Sequence, residues 1–308
     1  MSLQIDLLGP RPGQGLTRVL GDLDGGAVVA AVTAGWQERE VDDAELRELV
    51  GRTTVNLALH ARCLAVYEED REYGHAVREH EAALAELRQL YLVQLDHALS
   101  AAYELARSSD ARPRLRDRAG ADALRVVQLL DEQHMQRTAD AQQAFYDAWL
   151  PHERAAVARH RGEIQEVLAG ASALVVAGGH VGELARVLHL FNVAPSLPPR
   201  VVAWSAGAMA LTERVVLFHD FVPHGVAQTE VYGAGIGVVP GIVALPHARR
   251  RLRVGDPVRM SVLARRFAPA RCLVLDDVTR VSLDGNRQLP ADARVLDLDG
   301  HVAEVAAA

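Results

Sequence analysis

From about Cys63 to Leu168 the sequence runs in long stretches rich in Ala, Leu, Glu, Arg and Gln with few glycines, as in HEAALAELRQLYLVQLDHALSAAYELA. Apolar residues at three- and four-residue spacing among good helix formers predict long amphipathic helices. The segment SSDARP, residues 108–113, divides them into two arms, and Pro151 interrupts the second near its end. Outside this region the pattern is different. Gln4 to Leu8, before the turn-rich GPRPGQG, and Ala27 to Thr33 (AVVAAVT) are nearly continuous apolar runs. Such runs suit strands buried on both faces of a parallel sheet. A helical pattern over Asp42 to Val50 and a strand-like TVNLAL over Thr54 to Leu59 continue the alternation.

After Leu168 the alternation resumes. Ala173 to Ala177 (ALVVA) and Val201 to Trp204 read as strands, each followed by a helical stretch, Val181 to Phe191 and Ala206 to Glu213. From Cys272 onward, short strands and Asp-Gly turns suit antiparallel strands at a sheet edge. The expectation is a single α/β domain over residues 1–308, with a mostly parallel sheet flanked by helices and a helical insertion at about 63–168.

Composition removes several functional classes. All 33 basic residues are arginine. Without lysine the chain cannot form a lysine Schiff base, hold pyridoxal phosphate covalently, use a Ser-Lys dyad or build a Walker A loop. No cofactor and no metal is expected. The net charge of -7 gives no case for nucleic acid as a partner. No run approaches the roughly 18 apolar residues of a membrane span, and MSLQIDLLGP does not read as a signal peptide. A cytoplasmic protein without a membrane partner is expected. Cys63 and Cys272, far apart in apolar surroundings, are expected as buried free thiols.

The segment RVVAWSAGAMAL places Ser205 between a β-branched strand and a helix of small residues. A nucleophile elbow needs such neighbours, because bulky side chains would clash in its tight turn. The amide of Ala206 and the helix dipole would then face a developing oxyanion. Serine is also a favoured helix N-cap, and the local pattern alone leaves both readings open. A serine hydroxyl needs a base to take its proton. His247 follows the apolar strand GIVALP at a strand end, with His219 and His224 as rivals in a polar loop. The acid that would orient the base is a choice among Asp220, Glu230, Asp276 and Asp277. The turn AGGH supplies Gly178 and Gly179, where a substrate can approach the backbone closely.

Taken together, AGGHVGELARVL, WSAGAMAL, GIGVVPGIVALPHARRRL and CLVLDDVTRV resemble, in this order, segments of the peptidase E and cyanophycinase family. The resemblance covers the C-terminal half well and the N-terminal strands more loosely. It implies a flavodoxin-like, class I glutamine amidotransferase-like fold and a serine peptidase acting on a peptide or small amide substrate. By it Ser205 is the nucleophile, His247 the general base and Asp220 the acid, with oxyanion amides from Gly179 and Ala206. Gly178 and His180 would line the substrate site. Cleavage would fall beside an acidic residue, through an acyl-enzyme. Serine at the elbow, in place of the cysteine of the amidotransferases, disfavours glutamine amide transfer through a thioester. His180 departs from the family, whose members carry an amide or acidic residue there, and Pro246 stands where a polar residue is usual.

Three further features have rival readings. The arginines from Arg249 to Arg253 suit either a substrate carboxylate or a solvated helix face. Glu72 with His75, and Asp131 with His134, have the carboxylate-x-x-His spacing of di-iron bundles, a spacing that also arises readily by chance. The helical insertion suits a lid or a homodimer surface. A catalytically inactive family member that binds or assembles through that insertion is the alternative to the enzyme.

Overall fold

The structure, a computed structural model, describes residues 3–109, 112–221 and 229–305. The first half begins with β1 (Gln4–Leu8), α1 (Gly13–Gly21), β2 (Val28–Val32), α2 (Ala44–Val50) and β3 (Thr53–Asn56). The helical region then runs through α3 (Leu59–Glu69), α4 (Arg71–Arg107), α5 (Pro113–Trp149) and α6 (Ala155–Gly170). Alternation returns with β4 (Ala173–Val176), α7 (Val181–Leu190), β5 (Arg200–Trp204), α8 (Ala206–Leu211), β6 (Arg214–Phe218) and β7 (Thr229–Ala234). The chain closes with β8 (Ile242–Pro246), α9 (Ala248–Arg251), α10 (Pro257–Phe267), β9 (Arg271–Leu275), β10 (Arg280–Leu283), β11 (Arg294–Leu296) and β12 (Val302–Glu304).

The central sheet has the order β10-β1-β5-β4-β2-β3. Only β10 runs antiparallel in it. Alternate residues of its strands separate into two cores. Ile5, Leu7, Ala30, Val32, Leu174, Val176, Val201 and Ala203 pack on one face. Leu8, Val29, Ala31, Val175, Val202 and Trp204 pack on the other. Because both faces are covered, these strands read as unbroken apolar runs.

Part of the tail departs from its expected place. Of the strands after α10, β10 alone extends the central sheet, whereas β9, β11 and β12 form a second sheet of order β12-β11-β9-β8. There β9 lies parallel to β8, with Pro246 opposite Leu275. Which sheet this β8–α10–β9 crossover joins is not encoded by either strand's own pattern. A two-stranded sheet, β6 with β7, was also not foreseen. Two boundaries move as well. TVNLAL leaves the strand at Asn56, because Ala58 turns left-handed and starts α3, and GPRPGQG enters α1 behind Pro12.

The hairpin of α4 and α5 is tied to the body by a buried polar network. Arg266 on α10 donates to both carboxylate oxygens of Asp131 (2.7 and 2.6 Å), to the Thr229 carbonyl (2.6 Å) and to the Tyr91 hydroxyl (3.0 Å). Tyr91 in turn donates to Asp131 at 2.7 Å and stacks on His134. Asp131 therefore serves an ion pair. Glu72 is exposed, and His75 meets Glu79 at the surface. No cluster of three metal-ligating side chains occurs among the described residues. Cys63 and Cys272 are buried free thiols, and burial pushes the Cys272 thiol up to about 12. No helix among the described residues is long and apolar enough to cross a membrane.

Candidate active site

Ser205 joins β5 to α8 with φ 53° and ψ -123°, a conformation that L-residues rarely adopt. Its side chain makes no cap hydrogen bond to the helix, so the plain N-cap reading does not describe it. Small neighbours permit the turn. A Cβ on Gly207 would lie 2.4 Å from the Val176 carbonyl, and one on Gly178 would lie 2.9 Å from Ser205 Cβ and 3.3 Å from Oγ. The glycine turn after β4 thus rests directly against the serine.

That turn is held on its other side by the segment after β2. The His180 amide donates to the Gly35 carbonyl at 2.7 Å, and Gly179 at φ 130° leaves no room for a side chain beside Gly35. His180 caps α7, its Nδ1 accepting from the Glu183 amide at 3.0 Å. Neither the Gly179 nor the Ala206 amide has an acceptor among the described residues. Ala206 directly follows the serine, and Gly179 directly follows the glycine that rests against it.

His247 follows β8 in the left-handed region (φ 58°, ψ 31°) and donates its amide to the Leu275 carbonyl at 3.1 Å. Its half-buried imidazole forms no hydrogen bond with a described residue, Ser205 included. Backbone contacts relate the two positions. Trp204, just before the serine, lies opposite Leu8 in β1. The next residue, Gly9, packs against the carbonyls of Asp276 and Asp277, which follow Leu275. Ser205 follows β5 of the central sheet, and His247 and the two aspartates follow β8 and β9 of the second sheet, all at the carboxyl ends of parallel strands, where α/β sheets carry their ligands. Burial lowers the His247 pKa below its ordinary 6.5, Arg251 and Arg250 lower it further, and Asp277 and then Asp276 oppose them. The net effect favours the neutral imidazole over the charged one.

The four candidate acids separate clearly. Asp220 is fully buried, but its Oδ1 accepts from Arg259 at 2.6 and 2.9 Å and its Oδ2 from the Arg253 amide at 2.8 Å. It forms no hydrogen bond with His247. Asp220, the acid that the resemblance implies, is bonded instead to a neighbouring guanidinium and a backbone amide. Glu230 on β7 is gripped by both terminal and inner nitrogens of Arg88. Asp276 accepts from the Arg249 amide at 3.1 Å, while its Oδ2 lies 3.3 Å from Arg249 Nε without hydrogen-bond geometry. Asp277 is half-exposed, with Arg11 at 4.0 Å. Of the rival bases, His219 is exposed and accepts from the Phe221 amide, and His224 lies outside the described residues.

Sequence reasoning did not single out Arg250 and Arg251 from their cluster, yet neither has an ion-pair partner among the described residues. Arg251 is half-buried, and burial together with Arg250 lowers its pKa. It also missed a carboxylate group beside the glycine turn. Glu183 binds His60 Nδ1 at 2.6 Å and Arg186 at 2.6 Å, and Glu40 accepts the amides of His60 and Ala61 at the start of α3. These side chains come from distant parts of the chain, so no local spacing signals them. A depression of about 580 Å³, lined by Thr17, Gly21, Glu45 and Arg52, lies at the opposite, amino-terminal edge of the sheet.

No protein-family model and no curated protein matches the sequence. Among solved structures, the chain is similar to the crystal structure of a peptidase from an acI-B1 actinobacterium. The identity is 14% and the TM-score 0.46, over 100% of this chain and 96% of the other. A likeness that loose fixes neither activity nor substrate.

Proposed function

We propose that this protein is a serine hydrolase, a peptidase that cleaves a peptide or isopeptide bond beside an acidic residue through an acyl-enzyme. The observation that carries the reading is the strained Ser205 turn with Gly178 packed against its hydroxyl. It agrees with the resemblance to the peptidase E and cyanophycinase family and its class I glutamine amidotransferase-like fold. In this reading His247 takes the Ser205 proton as Oγ bonds to the substrate carbonyl carbon. The amides of Gly179 and Ala206 receive the resulting oxyanion. Collapse breaks the C–N bond, and His247 returns the proton to the leaving amine. Water, deprotonated by His247, then releases the acid product and restores Ser205.

Gly178 and His180 line the site. The orienting acid is Asp277 or Asp276 rather than Asp220, whose oxygens are already bonded to Arg259 and the Arg253 amide. Arg250 and Arg251, without carboxylate partners among the described residues, suit an acidic side chain of the substrate.

Labelling with an alkyl fluorophosphonate tests the reading. Mass spectrometry should place the adduct on Ser205 and find none in Ser205→Ala; absence of label in the unaltered protein at any pH removes the proposal. Aspartyl dipeptides, β-aspartyl-arginine polymers and simple esters then sort the substrates, and activity on esters alone removes the peptidase label.

A second reading rests on Leu90, Val93, Val126 and Leu129, which are exposed on α4 and α5. An assembly role of the hairpin, as a homodimer surface in an inactive family member, predicts a dimer in light scattering and no label on Ser205.

A further inference from the structure

Ser205 is not alone in its backbone conformation. Gln37, in the turn after β2, has φ 55° and ψ -121°, within a few degrees of Ser205 at φ 53° and ψ -123°. Glycine would take up this conformation without strain, yet a glutamine occupies it. Strain of this kind persists only where the surroundings over-determine it. Here they do. Thr33 Oγ1 donates to the Glu40 carbonyl at 2.9 Å, and Asn56 Nδ2 donates to Thr33 Oγ1, to the Glu40 carbonyl and to Asp43 at 2.8, 3.0 and 3.1 Å. The Glu40 carboxylate is anchored on the amides of His60 and Ala61, and the Gly35 carbonyl holds the His180 amide.

All these bonds pin the turn, and none uses the side chain of Gln37. Gln37 is a partly buried residue, and its side-chain amide has no hydrogen-bond partner among the described residues. The turn stands on the same sheet edge as the nucleophile. Val32 at the end of β2 is opposite Val176 at the end of β4, and β4 lies beside β5. Gly35, two residues before Gln37, touches the glycine turn that in turn touches Ser205.

We infer that the Gln37 amide is a substrate-binding group, which hydrogen-bonds a peptide group of the substrate one or more residues from the bond attacked by Ser205. A primary amide offers donors and an acceptor together and so matches a peptide group, whereas a carboxylate is better met by guanidinium. The inference rests on the serine peptidase reading.

Two covalent probes of Ser205 separate the two claims. One is an alkyl fluorophosphonate, which contains no peptide group; the other is a diphenyl phosphonate carrying an acetylated dipeptide. In Gln37→Gly, which removes the amide and the strain together, the peptidyl probe should react at least tenfold more slowly while the alkyl probe stays within twofold. Gln37→Leu, which removes the amide but keeps the bulk, should show the same split, so the test survives if one variant misfolds. Equal effects on both probes, no effect on either, or a peptidyl probe inert towards unaltered protein that the alkyl probe labels would each overturn the inference. Failure of both probes on the unaltered protein would instead overturn the serine hydrolase reading beneath it.

Discussion

A methyl group on Gly178 would lie 2.9 Å from Ser205 Cβ and 3.3 Å from its hydroxyl oxygen. The glycine turn and the serine elbow are therefore one unit. Gly178→Ala must push the two apart. It should lower fluorophosphonate labelling of Ser205 by tenfold or more while the protein keeps its circular dichroism spectrum.

The strain at Ser205 predicts a trade between stability and activity. A non-glycine residue held in such a region costs about 1–3 kcal/mol. Ser205→Gly should therefore raise stability by about 1 kcal/mol, a melting temperature higher by roughly 2 °C for a chain of this size. Labelling should vanish. Calorimetry and mass spectrometry on the same sample check both halves.

The neighbours of His247 set the pH dependence. Its pKa is lowered below 6.5 by burial and by Arg251 and Arg250, and Asp277 and Asp276 work in the opposite sense. The base is active when neutral, so labelling should fall only as pH drops below about 6.5. Arg251→Gln removes a positive charge and should move this acid limb to higher pH. Asp277→Asn removes a negative charge and should move it to lower pH. If Asp277 also orients the imidazole, the plateau rate falls as well.

Asp220 offers the contrast. Because its oxygens are bonded to Arg259 and the Arg253 amide, Asp220→Asn should reduce stability, measured by urea unfolding. The pH midpoint of labelling should stay where it is.

The ion pair of Asp131 and Arg266 holds the helical hairpin on the body. Both side chains are almost completely buried. Arg266→Met leaves an unpaired buried carboxylate and should cost about 3–5 kcal/mol. Adding Asp131→Leu should recover much of that loss in urea unfolding, since two apolar side chains replace the pair.

The strands of the central sheet were legible because burial on both faces leaves an unbroken apolar signature, as in Val28–Val32 and Ala173–Val176. The two long helices and their break near Pro113 were legible through helical periodicity. The strand-to-helix turn at Ser205 was legible because crowding selects small residues around it. By contrast, the β6–β7 pair, the second sheet and the partners of Asp220 were not. Each depends on which segments meet, and neither segment's own pattern encodes its partner.

Local sequence thus determined the central strands and the long helices, the two-sided burial of the sheet and the residue types at the elbow, all of which answer to neighbours within a few positions. Tertiary structure alone decided that Arg259 and the Arg253 amide take Asp220, that Arg250 and Arg251 have no ion-pair partner among the described residues, and that Gln37 shares the backbone conformation of Ser205. Those outcomes depend on distances between residues far apart in the chain, and local periodicity and propensity do not encode such distances.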